Sequence, residues 1–371
     1  MLEEKAMMPI AATRREVADQ PQTVARVLSA LEKEVRQLAQ TLAERQTKQI
    51  LASGSGDSWF AAQAARLAWE QYAGLPLEPH QAYEYAAYGR PDVDEHTAHL
   101  IISSSGRPTT TWDALDRALA SPAYVVGITD NEAPENPFVS RPPTALVPGA
   151  VKAGWPTQTT TATIALLIDL AIGLGAARGY LPANEAARLA RELRNVVGQM
   201  GETLAASAGW AERLAPTLAD QRLYTLVGGG PSFAVAQTGA ALLAEGPQEV
   251  GVALTVEEFH HALRIATLFK GEPVILIAPA GNSEARCRDT ARVVWEWGAR
   301  LIVLATAASL RGMEDLLDGP DLAGMEDGLR LPDVAEPLSP LLTLLPLQAL
   351  SIALAAQKVA GGYKRPETVP L

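Results

Sequence analysis

A glycine-rich motif occurs twice in this chain of 371 residues, at positions 54–63 and again at 228–237. Each copy follows a short apolar run and precedes an alanine-rich stretch. A strand, a glycine-rich turn and a helix in this order present backbone N–H groups and a helix N-terminus to an anion. The repetition predicts two related halves, each built around its own sheet.

Apolar runs of strand length alternate with helical segments through both halves. This alternation is typical of a parallel sheet covered by helices on both faces, so the predicted fold class is α/β. We predict five segments: an N-terminal helical segment at 1–45, a first domain at 46–182, connecting helices at 183–216, a second domain at 217–360 and a C-terminal tail at 361–371.

The composition argues against several classes of function. A net charge of −11 disfavours nucleic acid and acidic membranes as partners, because both require a basic face. The single cysteine and five unclustered histidines indicate neither a disulfide framework nor a metal site, and we predict no cofactor. The N-terminus lacks a signal peptide's apolar core, and the apolar stretch 162–174 is short for a membrane span. We therefore expect a cytoplasmic protein that does not enter a membrane.

Three consecutive serines, Ser103, Ser104 and Ser105, directly follow a buried apolar run. Three hydroxyls beside free N–H groups suit the oxygens of a phosphate. Serines are also common in turns and helix N-caps, which is the alternative interpretation. Their place after a strand, in the same half as the first glycine turn, favours an anion site. That turn lacks the third glycine of a dinucleotide motif and the Lys-Ser/Thr of a P-loop, so neither nucleotide class is expected.

Acidic and imidazole side chains form a second set of candidates. Glu245 ends an apolar helix, where the helix dipole disfavours a negative charge. A carboxylate and an imidazole that meet in a cleft can move protons near neutral pH, as sugar ring opening and enediol formation require. Acidic residues are also expected in any first helical turn, so spacing alone leaves these roles open. The other candidates open a segment predicted as one helix at 257–268: Glu257, Glu258, His260 and His261.

Together these motifs resemble the SIS (sugar isomerase) family, in the tandem-SIS layout of the isomerase half of glucosamine-6-phosphate synthase. The resemblance covers nearly the whole chain, from Glu16 and Gln20 near the N-terminus to Gln348 in the last long helix. It implies two flavodoxin-like SIS domains, each a five-stranded parallel sheet flanked by helices. It also implies an obligate homodimer and no glutaminase domain within the chain.

In the first half the resemblance implies a binding site for a small-molecule sugar phosphate. The family's C-G-T-S turn corresponds to residues 55–58, and its S-x-S-G-E-T phosphate loop corresponds to residues 103–108. Pro108, at the family threonine, has no N–H to donate, so Thr109 or Thr111 is expected to substitute. The other residues assigned to phosphate and sugar binding are Ser55, Gly56, Ser58, Ser103, Ser104 and Ser105.

In the second half the resemblance implies the catalytic pair. Glu245 corresponds to the base for proton transfer between C1 and C2, and His261 to the histidine that assists ring opening. Glu258, in the same motif as that histidine, is assigned to sugar binding. In family dimers this histidine serves the neighbouring subunit's site. Leu242 replaces a family lysine, and Lys364 does not match the position of the Schiff-base lysine near the C-terminus.

The implied function is a phosphosugar isomerase that performs aldose/ketose isomerisation or isomerising deamination of a hexose or hexosamine 6-phosphate. A fructosamine-6-phosphate deglycase would use the same carboxylate and imidazole. The missing lysines favour a third interpretation, a sensor that binds a phosphosugar without turnover. The residues do not identify the sugar.

Overall fold

The structure is a computed structural model that describes residues 2–107, 109–221, 223–311 and 327–363. The predictions made for Pro108 and Lys364 lie outside the described residues. Three helices precede the first sheet, and α2 and α3 each turn one apolar face inward. These helices are α1 (Leu2–Ala18), α2 (Gln20–Ala30) and α3 (Glu32–Glu44).

The first sheet contains five parallel strands in the order β2-β1-β3-β4-β5. The order changes direction between β1 and β3, as in flavodoxin-like folds, and ligands bind outside the carboxyl ends of the strands at such a point. The strands are β1 (Gln49–Gly54), β2 (Leu77–Gln81), β3 (Thr97–Ile102), β4 (Tyr124–Ile128) and β5 (Thr144–Leu146).

Helices cover both faces of this sheet and lead to the second half. The helix α9 (Ala183–Leu218) is continuous over 36 residues, because its apolar residues keep a helical stripe and its proline, Pro216, lies only in the last turn. The preceding helices are α4 (Asp57–Ala68) with a π-helical turn (Trp69–Ala73), α5 (Ala82–Tyr88), α6 (Thr110–Leu119), α7 (Pro137–Ser140) and α8 (Gln158–Ala177).

The second sheet repeats the first. Its five parallel strands have the order β7-β6-β8-β9-β10, which matches β2-β1-β3-β4-β5 position by position. The predicted duplication and α/β class are therefore confirmed. The strands are β6 (Leu223–Gly228), β7 (Val250–Thr255), β8 (Pro273–Ala278), β9 (Arg300–Thr306) and β10 (Leu329–Leu331).

The segment predicted as one helix at 257–268 is broken in two, and that prediction is wrong. A 3₁₀ turn (Glu258–His260) is separated from α11 (Leu263–Thr267) by His261, whose backbone is extended at φ −100° and ψ −153°. An extended residue cannot continue the helical hydrogen bonds. The remaining helices are α10 (Pro231–Glu245), α12 (Glu284–Glu296), α13 (Ala307–Arg311), a 3₁₀ turn (Glu336–Leu338) and α14 (Pro340–Ala360).

Among the described residues, two helical segments are long and apolar enough to cross a membrane by length and composition alone: α8 and the segment Glu336–Ala360. The expectation that the apolar stretch is too short is therefore wrong, because α8 extends it to 20 residues. Of their most apolar windows, 78% and 94% are buried inside the protein. Burial of this extent is what core helices show, and core helices pass the same test.

One hydrophobic core runs through both halves of the chain. It joins the inner faces of the two sheets to the long helices α8, α9, α10 and α14. Helices α4 and α10, which follow the two glycine turns, pack against each other within it. This packing brings the start of α4 and the end of α10 to one crevice. The domain boundaries given above stay a prediction.

Candidate functional site

The first glycine turn places a serine in the first turn of α4. Gly56 has φ +53° and ψ −126°, and a Cβ on Gly54 would lie 2.8 Å from the Cβ of Ser58. Both positions therefore require glycine. The N–H of Ser58 donates to the carbonyl of Ser55 at 3.2 Å, which closes the turn. The Ser58 side chain thus stands in the first turn of a helix, the end whose dipole favours an anion.

The serine loop, residues 103–106, leaves β3 at the neighbouring position. The N–H of Ser103 still bonds to the sheet, at Ile128, and Gly106 closes the loop by donating to the carbonyl of Ser103 at 3.2 Å. Gly106 has φ +63°, and a Cβ there would lie 2.5 Å from Nδ2 of Asn136. The loop therefore begins at the switch point between β1 and β3, next to the first glycine turn.

A partly buried carboxylate supports this loop. Oγ of Ser104 donates to Oδ2 of Asp130 at 2.5 Å, and the Asp130 N–H returns a bond to the carbonyl of Ser104 at 3.0 Å. Oδ1 of Asp130 accepts the N–H of Ala150 at 2.9 Å. Burial raises the pKa of Asp130, and these hydrogen bonds oppose that shift. Asp130 therefore fixes Ser104, whose hydroxyl already has an acceptor.

The two threonines expected to replace the family threonine lie just after the serine loop. Thr109 is the N-cap of α6, and its Oγ1 accepts the N–H of Thr111 at 3.3 Å. Thr111 is buried, whereas Thr109 is exposed. A capping role accounts for Thr109 without a ligand. The assignment of either residue to phosphate binding stays a prediction.

Glu245 reaches this site from the other half of the chain. It is the last residue of α10, and its charge helps to raise the pKa of Asp57, the first residue of α4. Such an effect requires the two carboxyl groups to lie near each other. The adjacent Gly246 packs on Trp155, since a Cβ on this glycine would lie 3.2 Å from Cζ2 of the indole. The fold therefore brings Glu245, Ser58 and the serine loop together.

Two charged residues of this region, Asp57 and Lys152, were not predicted from the sequence. Burial, and then the charge of Glu245, raise the pKa of Asp57 to about 7, while Lys152 opposes the shift. Two N–H groups of the segment that carries Lys152, those of Ala153 and Gly154, donate to Glu16. The available signal for Asp57 was the family motif itself, because Asp57 stands where that motif has threonine.

His261 and Glu258 are not brought to the serine loop by the described contacts within the chain. The His261 side chain is 61% exposed, and its Nε2 lies 3.4 Å from Oε1 of Glu257. Glu258 is exposed as well, and its N–H donates to Oγ1 of Thr255. Their assigned roles stay predictions.

The corresponding crevice of the second half contains a carboxylate of the chain itself. Gly230 repeats the backbone of Gly56, with φ +53° and ψ −126°. Oε2 of Glu336 accepts the N–H of Asn282 at 2.9 Å, and both residues line a cavity of about 520 Å³ with Gly230. The loop that follows β8, residues 279–282, also lacks the serine hydroxyls found after β3, so the first half is the better candidate for an anion site.

A further cavity of about 810 Å³ lies among α1, α2, α9 and α14. Its walls are mainly apolar, formed by residues such as Val17, Val197, Leu204 and Ile352. It lies away from the glycine turn, the serine loop and Glu245. Because a phosphate needs clustered donors, the crevice at the first sheet is the candidate site.

Comparison with known proteins identifies the same half of the chain. Residues 45–139 match the family model described as "SIS domain". The chain is 28% identical over 360 residues to a glutamine–fructose-6-phosphate aminotransferase (isomerizing) of Pseudomonas putida, covering 93% of the chain and 56% of the relative. A second such enzyme, from Pseudomonas syringae pv. tomato, is 29% identical with the same coverage. The chain thus spans little more than half the length of these relatives.

Solved structures share the fold over nearly the whole chain. The C-terminal domain of glucosamine-fructose-6-phosphate aminotransferase from Francisella tularensis superposes with a TM-score of 0.83 at 21% identity, covering 93% of this chain and 95% of that domain. Glucosamine-6-phosphate deaminase from Thermotoga maritima gives a TM-score of 0.72 at 19% identity, with 94% and 95% covered. Residues 45–139 therefore match an SIS domain in sequence, and the duplicated fold, which repeats that unit, is shared with these structures over nearly the whole chain.

Proposed function

We propose that this protein is a phosphosugar isomerase, which isomerises or deaminates a hexose or hexosamine 6-phosphate. The observation that carries the proposal is the convergence of Ser58, the serine loop and Glu245 at the switch point of the first sheet. The similarity to enzymes named for fructose 6-phosphate and glucosamine 6-phosphate supports the same class of substrate.

The arrangement supplies one group for each chemical task. The N–H groups at the start of α4 and in the serine loop hold the phosphate, and Ser103 and Ser105 add hydroxyl donors. Glu245 removes the proton from the carbon beside the carbonyl, which gives an enediol, and returns it to the former carbonyl carbon, so that the proton moves between C1 and C2. Binding the distant phosphate fixes those carbons near the carboxylate, which lowers the entropic cost of the proton transfer.

Ring opening is assigned to His261 of a second copy of the chain. The side chain is mostly exposed and lies on a segment that projects from the second sheet. We propose a cytoplasmic homodimer in which each subunit lends this imidazole to the other subunit's site, where it protonates the ring oxygen.

The replacement Glu245→Gln tests the central assignment, because the amide keeps the shape but cannot accept the proton. Exchange of the C2 proton in deuterated water, followed by NMR on glucose 6-phosphate and glucosamine 6-phosphate, should fall by at least about a hundredfold. Binding of the same compounds, measured by calorimetry, should persist. The matched control is Glu44→Gln, which changes an exposed glutamate on α3.

Unchanged proton exchange in the Glu245→Gln variant would remove Glu245 from the mechanism. Binding without any exchange in the unmodified protein would support a sensor instead. The sensor interpretation is favoured by Leu242, which stands where the family has a lysine. Release of an amine from a 6-phosphorylated fructosamine, without isomerisation of free sugar phosphates, would support a deglycase.

A further inference from the structure

Asp57 places a buried carboxyl oxygen inside the proposed sugar site. It is the first residue of α4, between Gly56 of the glycine turn and Ser58 of the proposed phosphate site. Its Oδ1 is buried and has no hydrogen-bond partner among the described residues. A buried carboxyl oxygen without a donor is costly, because it has lost its water without gaining a replacement. The resemblance predicts threonine here, so the fold itself does not require the carboxyl group.

The charged groups around Asp57 make the crevice electronegative. Glu245 approaches from the end of α10, and Lys152 approaches from the segment before α8. Lys152 is exposed to solvent, so its charge is screened by water and salt. Asp57 is only partly exposed, so its charge is screened less. Burial and the charge of Glu245 raise the pKa of Asp57 to about 7, so this carboxyl group is about half ionised at neutral pH.

The missing partner has to be a donor that arrives with the ligand. A hydroxyl group would satisfy one oxygen but would leave two carboxylates close together. An ammonium group supplies both the donor and the compensating charge, and such charge-assisted bonds are about twice as strong as neutral ones. The serine loop at the other side of the crevice suits a phosphate, so the site as a whole matches a ligand with one anionic end and one cationic group.

We propose that Asp57 is a specificity-determining residue that selects sugar phosphates bearing an amino group, by accepting a hydrogen bond from the substrate's ammonium. The proposal rests on the proposed function and narrows it to amino sugars and sugar–amine adducts. Glu245 remains the base, and Asp57 acts by binding and orienting the amine-bearing carbon.

Calorimetric titration with glucosamine 6-phosphate and glucose 6-phosphate at neutral pH tests this proposal. These two ligands differ only in the amino or hydroxyl group at C2. The unmodified protein should bind the amino compound at least about tenfold more tightly. Asp57→Asn and Asp57→Thr should reduce this preference to less than about threefold, by weakening the binding of glucosamine 6-phosphate relative to glucose 6-phosphate. The control is Asp113→Asn, which removes an exposed carboxylate from α6.

The outcomes separate the two proposals. Equal affinity of the unmodified protein for both compounds, or an undiminished preference in Asp57→Asn and Asp57→Thr, would overturn the role of Asp57 and leave the proposed function standing. Binding of neither compound would overturn the proposed function and this inference with it. Circular dichroism of both variants shows whether they fold, and the affinity ratio of the unmodified protein decides the question even where one of them does not.

Discussion

Gln20 and Gln348 are hydrogen-bonded to each other in the core, with 2.6 Å between Nε2 of Gln20 and Oε1 of Gln348. Both side chains are fully buried. Thr161 completes the cluster by donating from Oγ1 to Oε1 of Gln20 at 2.6 Å. The three residues come from α2, α14 and α8, so this polar cluster ties the first helices of the chain to the last one.

Replacing Gln348 with leucine should lower the free energy of unfolding by about 1 to 3 kcal/mol, because Gln20 would remain buried without its acceptor. Replacing Gln20 and Gln348 together should cost less than the sum of the two single changes, since no half-pair is left behind. Urea unfolding measures the stability of the two single variants and the double variant. The control is Gln40→Leu, at an exposed position of α3. Strict additivity would mean that the pair contributes no coupling.

Gly106→Ala should disable the serine loop. Alanine at φ +63° is strained, and its Cβ would lie 2.5 Å from the Asn136 amide. We therefore expect the free energy of unfolding to fall by about 2 kcal/mol or more. We also expect weaker binding of sugar phosphate, because the loop can no longer keep its shape. Gly179→Ala is the matched control, because it has φ +70° but no atom within 4 Å of the added Cβ. Thermal unfolding and calorimetry should show a larger effect at Gly106 in both measurements.

Much of the fold could be predicted from the repeated motif. Gly56 and Gly230 have the same backbone angles and open α4 and α10 in the same way, as the duplication implies. The short edge strand β2 carries no such signal, because it contains Pro79 and buries only Leu77 completely. Edge strands depend on a neighbour in the sheet rather than on their own apolar pattern.

The candidate site was only partly predictable, because part of it also depends on neighbours in the tertiary structure rather than on local sequence. Ser58, the serine loop and Glu245 stand in local motifs that a sequence displays. The importance of Asp57 depends on burial and on the charges of Glu245 and Lys152, which the tertiary fold brings near it from separate parts of the chain. The break at His261 was missed because helical spacing does not show where one residue adopts an extended backbone.

Mixing two inactive variants tests whether the proposed dimer shares its sites. A dimer of one Glu245→Gln chain and one His261→Asn chain contains one site with both changes and one site with neither. Random mixing makes half of the dimers mixed, so activity should recover to about a quarter of the normal value. Mixing Glu245→Gln with a chain carrying both substitutions is the control and should recover nothing. Inactive mixed dimers, isolated with two affinity tags, would contradict the shared site.

The raised pKa of Asp57 predicts how stability depends on pH. Below about pH 4 the carboxyl group is protonated in the folded and unfolded chains alike, and it has no effect. Between its ordinary value of 3.8 and its folded value of about 7, only the unfolded chain releases the proton. The unfolded state then binds fewer protons, so the contribution of Asp57 to the free energy of unfolding falls as the pH rises. Above pH 7 both forms are ionised and the loss is complete.

Asp57→Asn should therefore be more stable than the unmodified protein at pH 8. From pH 5 to pH 8 its free energy of unfolding should also fall by less than that of the unmodified protein, the difference being on the order of 2 kcal/mol after solvent screening. The other ionisable groups are common to both proteins, so the difference between the two pH profiles isolates Asp57. Urea unfolding at four pH values measures it, and Asp113→Asn should follow the unmodified profile. Parallel profiles for Asp57→Asn and the unmodified protein would show that the carboxyl group is solvated and titrates normally, because an unburied carboxylate has no reason to retain its proton.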